Sequence, residues 1–502
     1  MADTKREIER KYESDDSGLP DLTGVGGVAT VLDKGLVELD ATYYDTADER
    51  LAADALTLRR RTGGSDAGWH LKFPVGPGVR DEIRAPLSDT LPEEIAALVR
   101  SRVRDAELIP LVRLRSARDV RHLVDADGAL LAEASVDTVT AERLGGGGEA
   151  AQWTEIEVEL AEDGDPAFLD LVEKRLRKAG VRRSKSPSKL ARALEQTGGP
   201  RRSSRRKGEP APPVTAGDHV LAYLRAQRDV LVELDPAVRR DVPDSVHRMR
   251  VATRRARSTL RSFRAVLDRT VTDPVAAELK WLAGALGVDR DQEVTAERLR
   301  AALDAVPPDL VAGPVHDRLA AWAEAGHGGA HTQLTGVLDS RRYLTLLDTL
   351  DGLLADPPLR KAAGKQPDKV IAKAVDKDLA TLSALVEQAL GAPPGEERDV
   401  AVHEARKKAK RTRYAAEAAT PALGKPARSL TKGMKNLTTL LGEHQDSVMT
   451  RLTLRELSAT AHAAGESAFT YGLLYGREEA RAAQAEAELP GLWKKIGSPA
   501  TG

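Results

Sequence analysis

Ionised side chains recur at every second position along several short stretches of this chain, and that spacing restricts what it can fold into. Glu7, Glu9 and Lys11 alternate in EIERK, Arg59 and Arg61 in LTLRRR, Glu82 and Arg84 in RDEIRAPL, and Glu155, Glu157 and Glu159 in WTEIEVEL. On a helix, Glu7, Glu9 and Lys11 would be scattered over more than half the circumference, whereas on a β-strand they share one face. Charge at alternate positions of several strands is too costly if that face is a dry core. Two arrangements remain. Either each charged face is open to solvent, or the strands close into a barrel whose wet lumen is charged and whose apolar positions face outward against helices. In the last stretch, Trp153, Ile156, Val158 and Leu160 read as the apolar face opposing the glutamates.

With 502 residues the chain exceeds one ordinary core, and its patterning changes along its length. Residues 1–197 alternate in short runs such as WHLKF and VRHLVDADGALLAEASVD. Turn-forming GGSDAG, PVGPG and GGGG separate these runs, and PEEIAALVRSRV and PAFLDLVEKRLRKAG are helical insertions. Residues 198–213, GGPRRSSRRKGEPAPP, form a basic, Pro-rich linker. Residues 214–490 are Ala-, Leu- and Arg-rich with helical periodicity.

The helical half contains an internal repeat, about 214–355 and 366–490. His247, Arg250, Arg254 and Arg257 recur as His403, Arg406, Lys410 and Arg413, displaced by 156 residues. Leu282, Leu286, Gly287 and Asp291 recur as Leu437, Leu441, Gly442 and Asp446, displaced by 155. At 100° per residue, His247, Arg250, Arg254, Arg257 and Arg261 fall within an arc of about 80°. Met249, Ala252, Ala256, Leu260 and Phe263 take the opposite face and form the expected buried stripe. In the second copy, Ala405, Ala409 and Ala416 oppose the cations. VHRMRVATRRARSTLRSFR contains no acidic residue, and charge uncompensated along a helix favours a polyanion ligand over mere solubility.

Composition removes several classes. There is no cysteine, so thiolate sites, cysteine nucleophiles and disulfides are excluded. Aromatic residues make up 3%, too few for single-stranded nucleic acid held by base stacking, so nucleic acid is not an expected partner. The opening lacks the apolar run of a signal peptide and no segment has 18 consecutive apolar residues, so a cytoplasmic protein without a membrane partner is expected. The net charge of -1 conceals strong local imbalance, because 30% of residues are charged. Carboxylates among many Arg and Lys on one face describe a site for a polyanion held with a divalent metal. Oxygen ligands favour Mg²⁺ or Mn²⁺ over Zn²⁺.

EIERK resembles the ExExK signature of the CYTH family, the triphosphate tunnel metalloenzymes. LRRR, WHLKF, RDEIR, WTEIEVEL and SPSKLARAL then follow in that family's order over residues 5 to about 195. The resemblance implies an eight-stranded antiparallel β-tunnel and hydrolysis of inorganic triphosphate, thiamine triphosphate or RNA 5′-triphosphates, or cyclisation of ATP. It implies that Glu7 and Glu9 bind metal, with Glu155 and Glu157 closing the coordination. Lys11, Arg59, Arg61, Lys72, Arg84, Arg118 and Lys189 would grip phosphate oxygens. Glu82 would bind metal-associated water or orient a cation, and Asp137 matches an acidic position of the family, with a turn or strand-end role as the alternative. One departure is Ser116-Ala117-Arg118 where the family often has Lys-x-Arg, leaving Arg113 or Arg115 to compensate.

VHRMRVATRRARSTLRSF and VHEARKKAKRTRYAAE resemble the two histidine helices of the CHAD domain, and LGVDRDQEV and LGEHQDSV the helices that follow. This implies an all-α tandem of two four-helix bundles related by pseudo-twofold symmetry, holding inorganic polyphosphate in the basic cleft between them. His247, Arg250, Arg254, Arg257, Arg261, His403, Arg406, Lys410 and Arg413 would line that cleft, the histidines as phosphate contacts or in helix packing. The whole is an α+β two-domain chain. Its leading function is metal-dependent inorganic triphosphatase with a polyphosphate-binding module, associated with polyphosphate granules. The competing functions are a non-catalytic polyphosphate-targeting protein and a class IV-type adenylate cyclase.

Overall fold

The computed structural model describes residues 3–14, 18–145, 150–198 and 212–497. The chain divides into two compact units, Met1–Glu209 and Pro210–Gly502. The expected linker, 198–213, lies outside the described residues except at its edges, as does the side chain of Asp291.

The first unit is built from β1 (Asp3–Ser14), β2 (Thr30–Asp45), α1 (Arg50–Ala53), β3 (Thr57–Thr62), β4 (Gly68–Gly76) and β5 (Val79–Pro86). It continues through α2 (Glu93–Val103), β6 (Ile109–Val124), β7 (Leu130–Arg143), β8 (Ala151–Leu160), α3 (Ala167–Lys178) and α4 (Lys189–Gln196). The eight strands form a closed antiparallel barrel in the order β1-β5-β4-β3-β2-β6-β7-β8. Closure leaves no sheet edge, and β1 achieves it by pairing with β5 over residues 3–8 and with β8 over 9–14.

The barrel is apolar outside where helices cover it, and its lumen is charged. Leu58, Trp69, Leu71, Phe73 and Ile83 face outward beneath Ile95, Leu98 and Val99 of α2. Tyr12, Ile156 and Val158 do the same beneath Leu169, Val172 and Leu176 of α3. Each such side chain removed from water contributes roughly 1.5–3 kcal/mol, so the amphipathic helices are what permit a charged lumen. Trp153 departs from the expected outward face. It shares the parity of Glu155 and Glu157, lies inside the barrel, and its indole N–H donates to Glu155 Oε2 at 2.7 Å. At this end of the interior, α4 packs Leu190 and Ala193 against Tyr43, Leu114, Val139 and Trp153. The Ser188 hydroxyl accepts from Ala191 N at 3.1 Å and starts α4, which places Lys189 at the lumen.

The second unit is helical: α5 (Ala216–Arg239), α6 (Ser245–Ser262), α7 (Arg269–Asp304), α8 (Val315–Asp339), α9 (Arg341–Ala355), α10 (Pro367–Gly391), α11 (Glu396–Leu423), α12 (Lys425–Ala463) and α13 (Phe469–Gly497). Four helices, α5 to α8, recur in order as α10 to α13, with α9 additional to the first repeat. Met249, Ala252, Ala256 and Leu260 of α6, with Phe263 just beyond its end, enter the first core with residues of α5, α7 and α9. Ala405 and Ala409 of α11 enter the second, with α10, α12 and α13. A third core joins the C-terminal parts of α7 and α12 to the starts of α8 and α13. Among the described residues no helix is long and apolar enough to cross a membrane.

Candidate functional site

The barrel encloses a cavity of about 630 Å³. Glu7, Glu9, Lys11, Arg59, Arg61, Lys72, Arg84, Arg118, Glu157 and Lys189 all line it, contributed by β1, β3, β4, β5, β6, β8 and α4. Glu82, Asp137 and Glu155 lie behind that surface, at 0%, 0% and 2% exposure, and hold the lining cations in place.

The charges form two groups. In the first, Lys72 bonds Glu7 and stands 3.3 Å from Glu82, while Arg84 bonds Glu82 and approaches Glu7 at 3.5 Å. Arg59 lies 3.5 Å from Glu82 and 3.4 Å from the Tyr43 hydroxyl. In the second, Lys11 bonds Glu157 and lies 3.3 Å from Glu9. Arg118 forks onto Asp137 with two bonds of 2.7 Å and donates to Glu157 at 2.7 Å. Lys189 Nζ sits 2.8 Å from Asp137, 2.8 Å from Glu155 and 2.5 Å from Glu157. Asp137 is mid-strand, so the turn or strand-end alternative is discarded.

This environment shifts the titrations. Burial, reinforced by neighbouring Glu82, pushes Glu7 up to about 7. Burial opposes ionisation of Glu157 as well, but Lys11, Lys189 and Arg118 outweigh it and hold the carboxyl well below its ordinary range. Glu82 is likewise held low against burial, by Lys72, His70 and Arg59. Arg61, bonded to Asp66, is brought down to about 9 by burial and by the nearby Arg59 and Arg118.

His70 was not anticipated as part of this network. Its ring nitrogens lie 2.9 Å from Glu82 Oε1 and 2.8 Å from the carbonyl oxygen of Asp66, and burial brings it down to about 4. The available signal was parity, since His70 shares the inward face with Lys72. Lys5 and Arg80 also line the cavity. The expected compensation for Ser116 does not occur. Ser116 is buried with the parity of Arg118, whereas Arg113 and Arg115 have the opposite parity; Arg113 pairs with Asp40 at 2.6 Å and Arg115 is exposed.

In the helical unit, α6 and α11 pack side by side and bring the two stripes together. Burial, then Arg406, Arg254 and Arg250, bring Lys410 down to about 6, so residues of both repeats converge on one amine. Burial with Arg261 and Arg254 lowers Arg257. Arg406 Nη2 stands 3.5 Å from Asp446, and His403 Nδ1 is 2.5 Å from the side-chain oxygen of Gln445. Arg413 stacks over Tyr414 at 4.9 Å and lies 3.4 Å from Glu417. His247 is exposed at the start of α6. The acid-free α6 segment is partly compensated from outside, because Arg255 pairs with Glu417 of α11 at 2.8 Å.

The donor chemistry of the barrel fits a hard divalent cation. Asp137, Glu155 and Glu157 bring carboxylate oxygens within 4.8 Å of one another, and the Glu9 carboxylate lies on the neighbouring strand.

The CYTH domain family model matches residues 5–194 and the CHAD domain family model matches residues 222–455. An uncharacterized protein of Mycobacterium tuberculosis (strain H37Rv) is 37% identical over 507 residues, covering 98% of this chain and 96% of its own. The chain belongs to the CYTH and CHAD families. The chain is similar in structure to PptA from Streptomyces chartreusis, at 22% identity and a TM-score of 0.47, over 56% of this chain and 99% of that one. It is also similar to the CHAD domain from the plant Ricinus communis, at 22% identity and a TM-score of 0.45, over 57% and 93%. The CYTH barrel and the CHAD helices together make this a triphosphate tunnel metalloenzyme-like, polyphosphate-related protein.

Proposed function

We propose that the CYTH barrel hydrolyses inorganic triphosphate with Mg²⁺ or Mn²⁺, releasing orthophosphate, and that the CHAD helices bind inorganic polyphosphate. The observation that carries the first half is the lumen lined by Lys11, Arg59, Lys72, Arg84 and Arg118 from several strands and by Lys189 from α4, each beside a carboxylate. Phosphoryl transfer calls for positioning and charge neutralisation more than for a covalent nucleophile. Cations on several strands meet phosphate oxygens from several directions and hold the chain of phosphates in one orientation. Glu7, Glu9 and Glu157, backed by Asp137 and Glu155, would hold the metal. When bound it supplies a Lewis acid and a water of lowered pKa. Glu82 keeps Arg59, Lys72 and Arg84 aimed inward, and His70 in turn fixes Glu82. The observation that supports the second half is the packing of α6 against α11, which brings the basic stripes of both repeats together.

The test is a panel of inorganic triphosphate, ATP, thiamine triphosphate and long-chain polyphosphate, following phosphate and cyclic AMP. Release of phosphate from triphosphate, abolished by EDTA and restored by Mg²⁺ or Mn²⁺, is the expected result. Cyclic AMP as the main product would replace the hydrolase assignment with a cyclase, and full activity in EDTA would remove the metal.

A further inference from the structure

Gly287 of α7 and Gly442 of α12 occupy matching places in the two CHAD repeats. Neither is required by the backbone, since both lie inside helices without positive φ, where alanine is the more stable residue. What stands in place of the missing side chain is a guanidinium. A Cβ on Gly287 would lie 3.1 Å from Nη2, 3.3 Å from Cζ and 3.5 Å from Nε of Arg250. On Gly442 it would lie 3.6 Å from Nη2 and 3.9 Å from Nε of Arg406. Other close-packed helical glycines meet different neighbours: Gly217 meets Ala363 and Gly433 meets Ile496. In each repeat, then, an arginine from the stripe lies across the bare backbone of the following helix, and both arginines bear on Lys410.

We propose that Gly287 is a positioning residue of the polyphosphate cleft, a role that rests on the ligand reading above, with the roomier Gly442 as its internal control. Gly287 omits a side chain so that Arg250 lies flat on the helix, with its fork of N–H donors already oriented before phosphate arrives. An oriented guanidinium loses less freedom on binding than one waving in solvent. The two seats differ in tolerance. At 3.1 Å a methyl on residue 287 displaces Arg250, whereas 3.6 Å at residue 442 is ordinary van der Waals contact.

The experiment uses the full chain as wild type, Gly287→Ala, Gly442→Ala, Arg250→Ala and the Gly287→Ala/Arg250→Ala double variant. Long-chain polyphosphate is titrated into each at several salt concentrations, and thermal melting is followed. Gly287→Ala is expected to raise Tm, weaken binding at least about threefold, and lower the slope of log K against log salt by about one contact. Gly442→Ala is expected to raise Tm and leave Kd within about twofold. In the Arg250→Ala background, Gly287→Ala adds no further loss, because its effect runs through that arginine. Unchanged binding by Gly287→Ala, or a loss that multiplies with that of Arg250→Ala, overturns the seat while leaving the ligand intact. A wild-type chain that does not bind polyphosphate overturns the ligand reading and the seat with it.

Discussion

The CYTH lumen and the CHAD stripes both concentrate Lys and Arg, but they manage the charge in opposite ways. In the lumen nearly every cation has a carboxylate against it: Lys72 meets Glu7, Arg84 meets Glu82, and Lys11, Arg118 and Lys189 share Glu157. In the helical unit, Lys410 has three guanidiniums as neighbours and Asp446 as its main opposing charge, and it is driven towards neutrality. A self-neutralised site must exchange internal ion pairs for contacts with ligand and metal, so it rewards only a ligand that brings its own cation and the right geometry. A like-charged site is relieved by any anion that spans it. Selective chemistry suits the first and capture of a polymer suits the second.

The comparison breaks most visibly at Glu157. Glu157→Gln leaves three buried cations without their shared anion, and triphosphate hydrolysis should fall at least about 100-fold with a stability loss of about 3 kcal/mol. Phosphate release and thermal melting measure both. Polyphosphate affinity of the same variant should remain at the wild-type level; an equal fall would mean that the two regions act as one site.

Next in size are charge reversals in the stripes. Arg250→Glu with Arg254→Glu, and separately Arg406→Glu with Lys410→Glu, should each weaken polyphosphate binding about tenfold or more at moderate salt. Triphosphate turnover should not change. A loss confined to one pair would show that the repeats do not share a ligand.

A smaller effect separates the two by pH. Lys410 at about 6 lies below its ordinary 10.5, so between those values the unfolded chain carries the extra proton and the empty cleft gains stability as pH rises. A bound polyanion raises this pKa, so binding takes up a proton and affinity should increase about three- to tenfold from pH 9 to pH 7. Lys410→Arg should flatten that dependence. A titration series at fixed salt, with Arg406, Arg254, Arg250 and Asp446 unaltered, measures it.

The smallest expected effect sharpens the lumen. Arg113→Ala or Arg115→Ala should change KM for triphosphate less than about twofold, because both side chains have outward parity. A tenfold rise would mean that one of them reaches the substrate.

Much of this was legible because strand parity is a local property. Counting alone puts Glu7, Glu9 and Lys11 on one face, Arg59 with Arg61 and Glu82 with Arg84; the resemblance to the CYTH family adds Lys72 and the lumen, and a 3.6-residue period gives the stripe of α6. Trp153 reads as outward by residue type alone, but its parity puts it with Glu155 and Glu157. His70 belongs to no motif, and the parity it shares with Lys72 is its sole signal. Other features depend on residues far apart in the chain. Glu417 compensates Arg255 across 162 positions, and Lys189 reaches Asp137 from beyond the last strand. Gly287 and Gly442 were visible as a repeat, but the arginine lying on each is a contact between helices that no spacing rule supplies.

The packing of α4 across one end of the barrel has a consequence for traffic. With Leu190 and Ala193 seated against Tyr43, Leu114, Val139 and Trp153, the apolar stopper leaves the end that carries Lys34, His122 and Glu133 as the way in. A polymer cannot thread through such a vessel. Under the proposed hydrolase function a chain terminus would enter first, and each orthophosphate would leave by the doorway through which the next substrate arrives.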